Sequence, residues 1–257
     1  MRILVLPLTV LAAVCLYLSL PRLAPRIGAL LVRLYALVCR AFTRKDGRAD
    51  ERPALLVFLL LLGGSAALIS AVHPLLGVPV CAPLLTGFSF LPSCVKAKAE
   101  LDAGQCAGNV AGYEARVRQT CASLAPAFVG GVFAPLLLLA VGTPLYLGCS
   151  LPLMFCGLRA LSDVQPDARR AYALLLSLSD AVVRALLVLC SGVAGRNPLH
   201  TAGRTAQQRL MSILGIAGDG SDTHPPISGD ITQAVFLCCF VTGLLTLLLS
   251  LLLIPLA

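Results

Sequence analysis

Long apolar runs constrain this chain more than any other feature of its sequence. They cover residues 3–20, 53–72, 128–158, 171–193 and 231–255. A helix needs about 20 predominantly apolar residues to cross a bilayer. Because lipid offers no hydrogen-bond partner, a spanning segment must satisfy its backbone groups internally, which an apolar run of this length does as a helix. The sequence therefore predicts an all-α, polytopic integral membrane protein with about five hydrophobic segments.

The composition excludes several classes of protein. Hydrophobic residues make up 58% of the 257 residues, 12% are charged and the mean hydropathy is +0.91. An ordinary soluble domain carries about 25% charged residues. A cytosolic enzyme, a disordered chain and a secreted disulfide scaffold are therefore excluded. The length fits a single membrane domain over residues 1–257, with no room for a separate soluble catalytic domain.

Two segments depart from a simple spanning pattern. Residues 74–95 are apolar but contain four prolines, which predicts a broken helix packed against protein or a re-entrant stretch. Residues 128–158 are interrupted by Gly142-Thr143-Pro144, so they form either one long tilted span or two half-spans. The run over 3–20 lacks a small-residue cleavage site and is expected to be a retained helix.

Basic residues are concentrated between the first two apolar segments. Arg26 directly precedes residues 27–42, and Arg33 and Arg40 follow it at intervals of seven residues. Leu30, Leu31, Leu34 and Val38 lie largely opposite, which predicts an amphipathic interfacial helix over 27–42. Lys and Arg remain on the cytoplasmic side of membrane proteins, so we expect the 21–52 loop to be cytoplasmic in a multi-pass protein of the cell membrane. The lipid bilayer is thus an expected partner. Nucleic acid is not, because the chain lacks Trp and has no basic stretch interleaved with stacking aromatics.

The polar segments are the candidates for chemistry. Residues 96–124 and 194–229 are expected to be polar loops, and the first has helix-compatible composition around Lys96–Leu101 and Glu114–Leu124. Asp230 is a suitable N-cap for a last helix over 231–255. Asp180 and Arg184 are four residues apart and can pair on one helix face. Such a pair is either a functional element at membrane depth or an exposed pair at the interface.

The 194–229 loop contains residue types that bind phosphate and Mg²⁺. Arginine binds phosphate through two hydrogen bonds, and Mg²⁺ is held by one or two carboxylates together with phosphate oxygens. The alternative is a solvated loop, with glycines for turns and carboxylates for helix caps. No known nucleotide-binding or hydrolase signature occurs. The candidates are Arg196, His200, Arg204, Asp219 and Asp222.

Residues 118–136 resemble a motif of the adenosylcobinamide-phosphate synthase family of cobalamin biosynthesis (CobD/CbiB), which typically reads R-A-T-V-E-S-L-A-E-N-x-x-D-G-V-x-A-P-L. Three further stretches, at 21–28, 196–203 and 218–234, are similar to family segments in the same order. The matching residues of the first stretch are Arg118, Thr120, Ser123, Leu124, Ala125, Gly131, Val132, Ala134, Pro135 and Leu136.

The departures from the family motif fall at its polar positions. Ala122 replaces the first glutamate, Pro126-Ala127 replace a Glu-Asn pair and Gly130 replaces an aspartate. In the long loop, Asn197 stands for a histidine and Arg204 for a tryptophan. The resemblance therefore extends to the fold more fully than to the activity.

The resemblance implies an ATP- and Mg²⁺-dependent ligase that joins adenosylcobyric acid, a corrinoid, to aminopropanol phosphate through an amide bond. It also implies roles for the surviving residues. Arg118 would be the catalytic cation on the transferred phosphoryl group and His200 the base. Arg196 and Arg204 would bind phosphate, Asp219 and Asp222 would bind Mg²⁺, and Asp180 with Arg184 would be a buried structural pair or a displaced site element.

Two alternatives to a ligase remain. One is a non-catalytic paralogue that binds a corrinoid or another membrane protein of the cobalamin pathway, which the replaced polar positions favour. The other is a small transporter, supported by the Asp180–Arg184 pair and the proline-rich segment 74–95.

Overall fold

A computed structural model describes residues 4–20, 22–42, 51–104, 109–145, 147–194, 203–217 and 224–254. It is 87% helical, and the residues it describes form no strand. The α-helices are α1 (Val5–Ser19), α2 (Leu23–Ala41), α3 (Glu51–Val72), α4 (Gly77–Cys81), α5 (Phe90–Asp102), α6 (Val110–Phe128), α7 (Ala134–Gly142), α8 (Ser150–Leu161), α9 (Pro166–Cys190), α10 (Ala206–Leu214) and α11 (Ser228–Leu253).

The membrane fold class is confirmed. In the described ranges, four helical stretches are long and apolar enough to cross a membrane, and up to six if each of two bent helix pairs forms one span. The four are α3, the continuous stretch Val110–Gly142, α9 and α11, with 22, 33, 25 and 26 residues. Each exceeds the roughly 20 residues that a bilayer requires. The chain is an all-α polytopic membrane protein.

The stretch Val110–Gly142 contains the motif-like segment and an irregularity. A π-helical turn, Val129–Phe133, joins α6 to α7. Pro126 lies inside α6 and Pro135 near the start of α7, and neither can donate a backbone hydrogen bond to the turn before it. Irregular helical turns are common near prolines, because the proline nitrogen has no hydrogen to donate to the preceding turn.

The structure differs from both expectations for residues 128–158, which were one long tilted span or two half-spans. The long helix ends at Gly142, and α8 begins at Ser150 after a tight connection. Gly148 has φ +48° there, a left-handed conformation that glycine adopts without strain. A Cβ at Gly148 would also collide with the Ser70 side chain. Residues 128–158 thus form the end of one long helix and a separate short one.

The described residues divide into two compact units. The first comprises residues 1–86, 134–176 and 246–257, and the second comprises 87–133 and 177–245. The core of the first unit packs Leu31 and Tyr35 of α2 against α3 and α8. The Tyr35 and Phe58 rings meet edge to face, with centroids 5.4 Å apart.

The second unit is built around α6 and α10. Both helices bury an apolar face, which includes Val117 and Cys121 of α6 and Leu210 and Leu214 of α10. At one end of the unit, the Phe88 and Phe128 rings stand edge to face, with centroids 5.7 Å apart. Residues of both helices also line one cavity.

Four local expectations from the sequence can be compared with the structure. The four prolines of 74–95 do break that segment, into short 3₁₀ and α-helical pieces before α5. The polar segment 96–124 is mostly helical, and both of its helix-compatible stretches lie in helices, in α5 and α6. The expected loop 194–229 contains α10. Asp230 lies in the first turn of α11 rather than at its N-cap, and its Oδ2 accepts the Ile227 N–H at 2.8 Å.

Candidate functional site

A cavity of about 780 Å³ in the second unit brings together two of the arginines chosen from the sequence. Arg118 lines it from α6, and Arg204 lines it from the segment before α10. The two residues are 86 positions apart in the chain. The other lining residues are Gln119, Ala122, Gly203, Gln207, Gln208, Met211, Ser212 and Ala217.

Arg118 is held on the polar face of α6. Its Nη1 lies 3.7 Å from Oε2 of Glu114, one helical turn earlier. Both side chains are about one-third exposed, so solvent weakens this ion pair. Ala122, one turn later on the same face, presents only a methyl group to the cavity.

The segment before α10 has a fixed backbone. Gly203 has φ +149°, and a Cβ at this position would lie 2.6 Å from the Arg209 nitrogen, so only glycine fits. The Arg204 N–H donates to Oε1 of Gln208 at 2.8 Å. Thr205 is the N-cap of α10, and its Oγ1 accepts the Gln208 N–H at 3.2 Å. These contacts resemble a capping box and set the position of Arg204 at the cavity.

Asp180 and Arg184 do form an ion pair, and the pair also supports α10. Arg184 Nε lies 3.1 Å from Asp180 Oδ2, with the side chains 34% and 24% exposed respectively. The other carboxylate oxygen, Oδ1, accepts the Ala206 N–H at 2.9 Å. A carboxylate is favourable at a helix N-terminus, because the first N–H groups lack partners and the helix dipole is positive there. Asp180 is therefore a positioning residue for the helix that follows Arg204.

Four of the predicted site residues, Arg196, His200, Asp219 and Asp222, lie outside the described residues. Of the others, Arg118 and Arg204 share the cavity, whereas the Asp180–Arg184 pair acts on α10. Within the described part of the chain, no group of three or more His, Cys, Asp or Glu residues could hold a metal ion. Any Mg²⁺ ligands from the predicted set would be Asp219 and Asp222.

The sequence analysis missed the amide side chains of the site. Gln119, Gln207 and Gln208 line the cavity, as does the Ser212 hydroxyl. Thr205-x-x-Gln208 is the signal that could have revealed α10, since Ser or Thr followed three residues later by Glu or Gln marks a helix N-terminus.

A second polar cluster anchors the start of α11 in the same unit. His224 Nε2 lies 3.0 Å from Oδ1 of the buried Asp230. The Ser228 N–H donates to the Tyr113 hydroxyl at 2.8 Å, and the Ser228 hydroxyl donates to Asp102 Oδ1 at 2.6 Å. This cluster is absent from the cavity lining, and its contacts are those of a helix anchor.

The lining of the cavity is suited to an anion. Two guanidinium groups provide positive charge, and glutamine and serine side chains provide neutral donors and acceptors. Arginine pairs with phosphate or carboxylate through parallel hydrogen bonds. Comparison of the chain with known proteins finds no matching family model, no matching curated protein and no matching solved structure.

Proposed function

We propose that this chain is a membrane protein of the cobalamin pathway that binds the phosphate group of a substrate between Arg118 and Arg204. The activity proposed first is that of an adenosylcobinamide-phosphate synthase, which joins adenosylcobyric acid to aminopropanol phosphate. One observation carries the proposal. Arg118, which matches the CobD/CbiB motif, and Arg204, which directly follows the similar stretch 196–203, are far apart in the chain and line the same cavity.

In this proposal each residue of the site has a physical task. Arg118 and Arg204 neutralise the phosphate and stabilise charge that develops on a transferred phosphoryl group, as preorganised cations do in such reactions. His200 accepts the proton of the attacking amine. Asp219 and Asp222 would hold the Mg²⁺ that accompanies ATP, and Arg196 would provide a further phosphate contact. Asp180, through the N-terminus of α10, keeps the cavity wall in place.

A non-catalytic binding protein is the second candidate, and Ala122 favours it. The family motif has a glutamate at this position, one turn after the arginine. Ala122 lies on the cavity wall with Arg118, so a carboxylate that the family would place in this cavity is replaced by a methyl group. Without this carboxylate, Arg118 and Arg204 would still be able to bind a phosphate or a carboxylate of a corrinoid.

No contact in the described residues adds support for a transporter. Its main support was an ion pair in an apolar segment, and Asp180 has a local role as the acceptor for the first N–H of α10.

Complementation tests catalysis. The gene is expressed in a strain that lacks its adenosylcobinamide-phosphate synthase, under conditions where growth needs de novo cobalamin synthesis. We expect growth with the wild-type chain and none with Arg118→Gln. Arg116→Gln is the matched control, because Arg116 lies on the same helix, is more exposed and does not line the cavity.

Membrane levels of each variant are measured alongside growth. Failure of the wild-type chain at confirmed membrane levels would contradict catalysis and leave the binding protein as the proposal. Growth with Arg118→Gln equal to that of the wild type would contradict the role of the cavity.

A further inference from the structure

The start of α2 concentrates positive charge without compensation. Arg22 is the N-cap residue and Arg26 lies in the first turn, where the helix has no acidic residue. The helix dipole is also positive at this end, so cations are unfavourable there. Like charges one turn apart add a further repulsion. In the described ranges, no carboxylate lies within ion-pair distance of either guanidinium, and the first acidic residue of the sequence is Asp46.

A cavity lies at this same point. It has a volume of about 300 Å³ and is lined by Ser19, Leu20, Arg22, Leu23 and Arg26. Both arginines are exposed, and the leucines supply an apolar wall beside them. The site is thus half cationic and half apolar.

The exposed face of α2 also combines arginines with leucines beyond the cavity. Leu31 and Tyr35 pack into the core, but Leu30, Leu34 and Leu37 are between 39% and 56% exposed. At helical spacing the three exposed leucines form one row, and Arg26, Arg33 and Arg40 lie along one edge of this row. This corrects the expectation from the sequence that Leu30 and Leu34 lie largely opposite the arginines. A row of leucines bordered by arginines is typical of a helix that lies at the surface of a bilayer, where the arginines reach the headgroups.

The geometry points to a binding site for the phosphate of an anionic phospholipid between Arg22 and Arg26. The phosphate carries one negative charge and contacts both guanidinium groups at the positive helix end, and the acyl chains lie along the exposed leucine row of α2. A free phosphate ion or a soluble nucleotide would use the arginines but not the leucines. The site is separate from the Arg118–Arg204 cavity and does not depend on the function proposed for it.

Native mass spectrometry of the purified full-length chain in detergent tests this site. The chain is titrated with phosphatidylglycerol or phosphatidylcholine of matched acyl chains, and the dissociation constant of the first bound lipid is measured. An arginine near an anionic lipid contributes about fivefold to binding. We expect a preference for phosphatidylglycerol of about tenfold or more, and its loss in the Arg22→Gln/Arg26→Gln double variant.

The matched control is Arg33→Gln/Arg40→Gln, which removes the same charge from the same helix outside the cavity. We expect it to lose less of the preference than Arg22→Gln/Arg26→Gln, because Arg33 and Arg40 border the leucine row but do not line the cavity. Circular dichroism and elution volume show whether each variant is folded. Equal binding of the two lipids by the wild type would overturn the proposal. Equal loss in both double variants would replace the site with a diffuse basic surface.

Inorganic phosphate distinguishes the two sources of the anion. It is added at the concentration of the lipid phosphate before the titration. We expect phosphatidylglycerol to remain bound, because its acyl chains contribute contacts that the free ion lacks. Displacement at equal concentration would identify a site for free anions and would overturn the lipid assignment.

Discussion

At the scale of single residues, the cavity of the second unit depends on a few side chains. Arg118 and Arg204 supply its charge, and Gly203 allows the backbone turn that presents Arg204. Both arginines were chosen from the sequence because their chemistry suits phosphate. Arg118 matches the family motif, whereas Arg204 directly follows a similar stretch and is itself a departure from the family. Their proximity was not predictable, since it depends on α10, a helix within what the sequence presents as a polar loop.

Ala122 gives a prediction at this scale. Ala122→Glu places a carboxylate one turn from Arg118, on the cavity wall. The new charge should pair with Arg118 and repel an anionic ligand by about 1 kcal/mol, which corresponds to about fivefold weaker binding of aminopropanol phosphate. Equilibrium dialysis measures this affinity.

Ala122→Gln is the control for this substitution, because it adds nearly the same volume without the charge. We expect it to have less effect than Ala122→Glu. Equal losses in the two variants would show that bulk, rather than charge, governs the cavity at this position.

At the scale of elements, local sequence signals explain some helices and not others. Four prolines in 74–95 predicted a broken segment, and the structure has short helical pieces there. The nine-residue α10 was missed, because its apolar positions are too few to stand out beside the long apolar runs. It is stabilised by packing against α6 and by side chains at its N-terminus, and one of these comes from a distant part of the chain.

Asp180 provides a prediction for α10. Asp180→Ala removes both the acceptor for the Ala206 N–H and the partner of Arg184, and should cost about 1–2 kcal/mol of local stability. Hydrogen exchange of the amides of residues 206–214 should accelerate accordingly.

Asp180→Asn separates the two contributions. It keeps an oxygen that can accept the Ala206 N–H and removes the ion pair, so we expect a smaller acceleration than with Asp180→Ala. Unchanged exchange in both variants would contradict the role of Asp180 in positioning α10.

At the scale of the whole molecule, the apolar runs were sufficient to predict the fold class. A helix that spans a bilayer must have a certain length and an apolar composition, and both can be recognised in the sequence without knowledge of the tertiary structure. The exact ends were less predictable, because helices such as α2 and α6 continue into polar sequence where packing supports them. The arrangement of polar side chains around a cavity depends on such packing.

Leu60 tests the membrane environment directly. Leu60 lies near the middle of α3 and is 67% exposed, which in a bilayer means contact with lipid. Leu60→Lys should lower the amount of chain that resists alkaline extraction from membranes, since a lysine at the centre of a spanning helix costs about 3 kcal/mol on insertion scales.

Val72→Lys is the matched substitution at the end of the same helix, where the side chain is 78% exposed. A lysine there can reach the headgroup region, so we expect a much smaller loss. Equal effects of the two substitutions would contradict a bilayer-spanning α3.

The binding of aminopropanol phosphate to the purified full-length chain tests the central claim most directly. Each charge-assisted hydrogen bond to phosphate contributes about 1.5–3 kcal/mol, so loss of either arginine should weaken binding by about tenfold or more. We expect measurable binding by the wild type, a loss of at least this size in Arg118→Gln and in Arg204→Gln, and wild-type affinity in Arg116→Gln. Wild-type affinity in both cavity variants, or no binding by the folded wild-type chain, would contradict a phosphate site between Arg118 and Arg204.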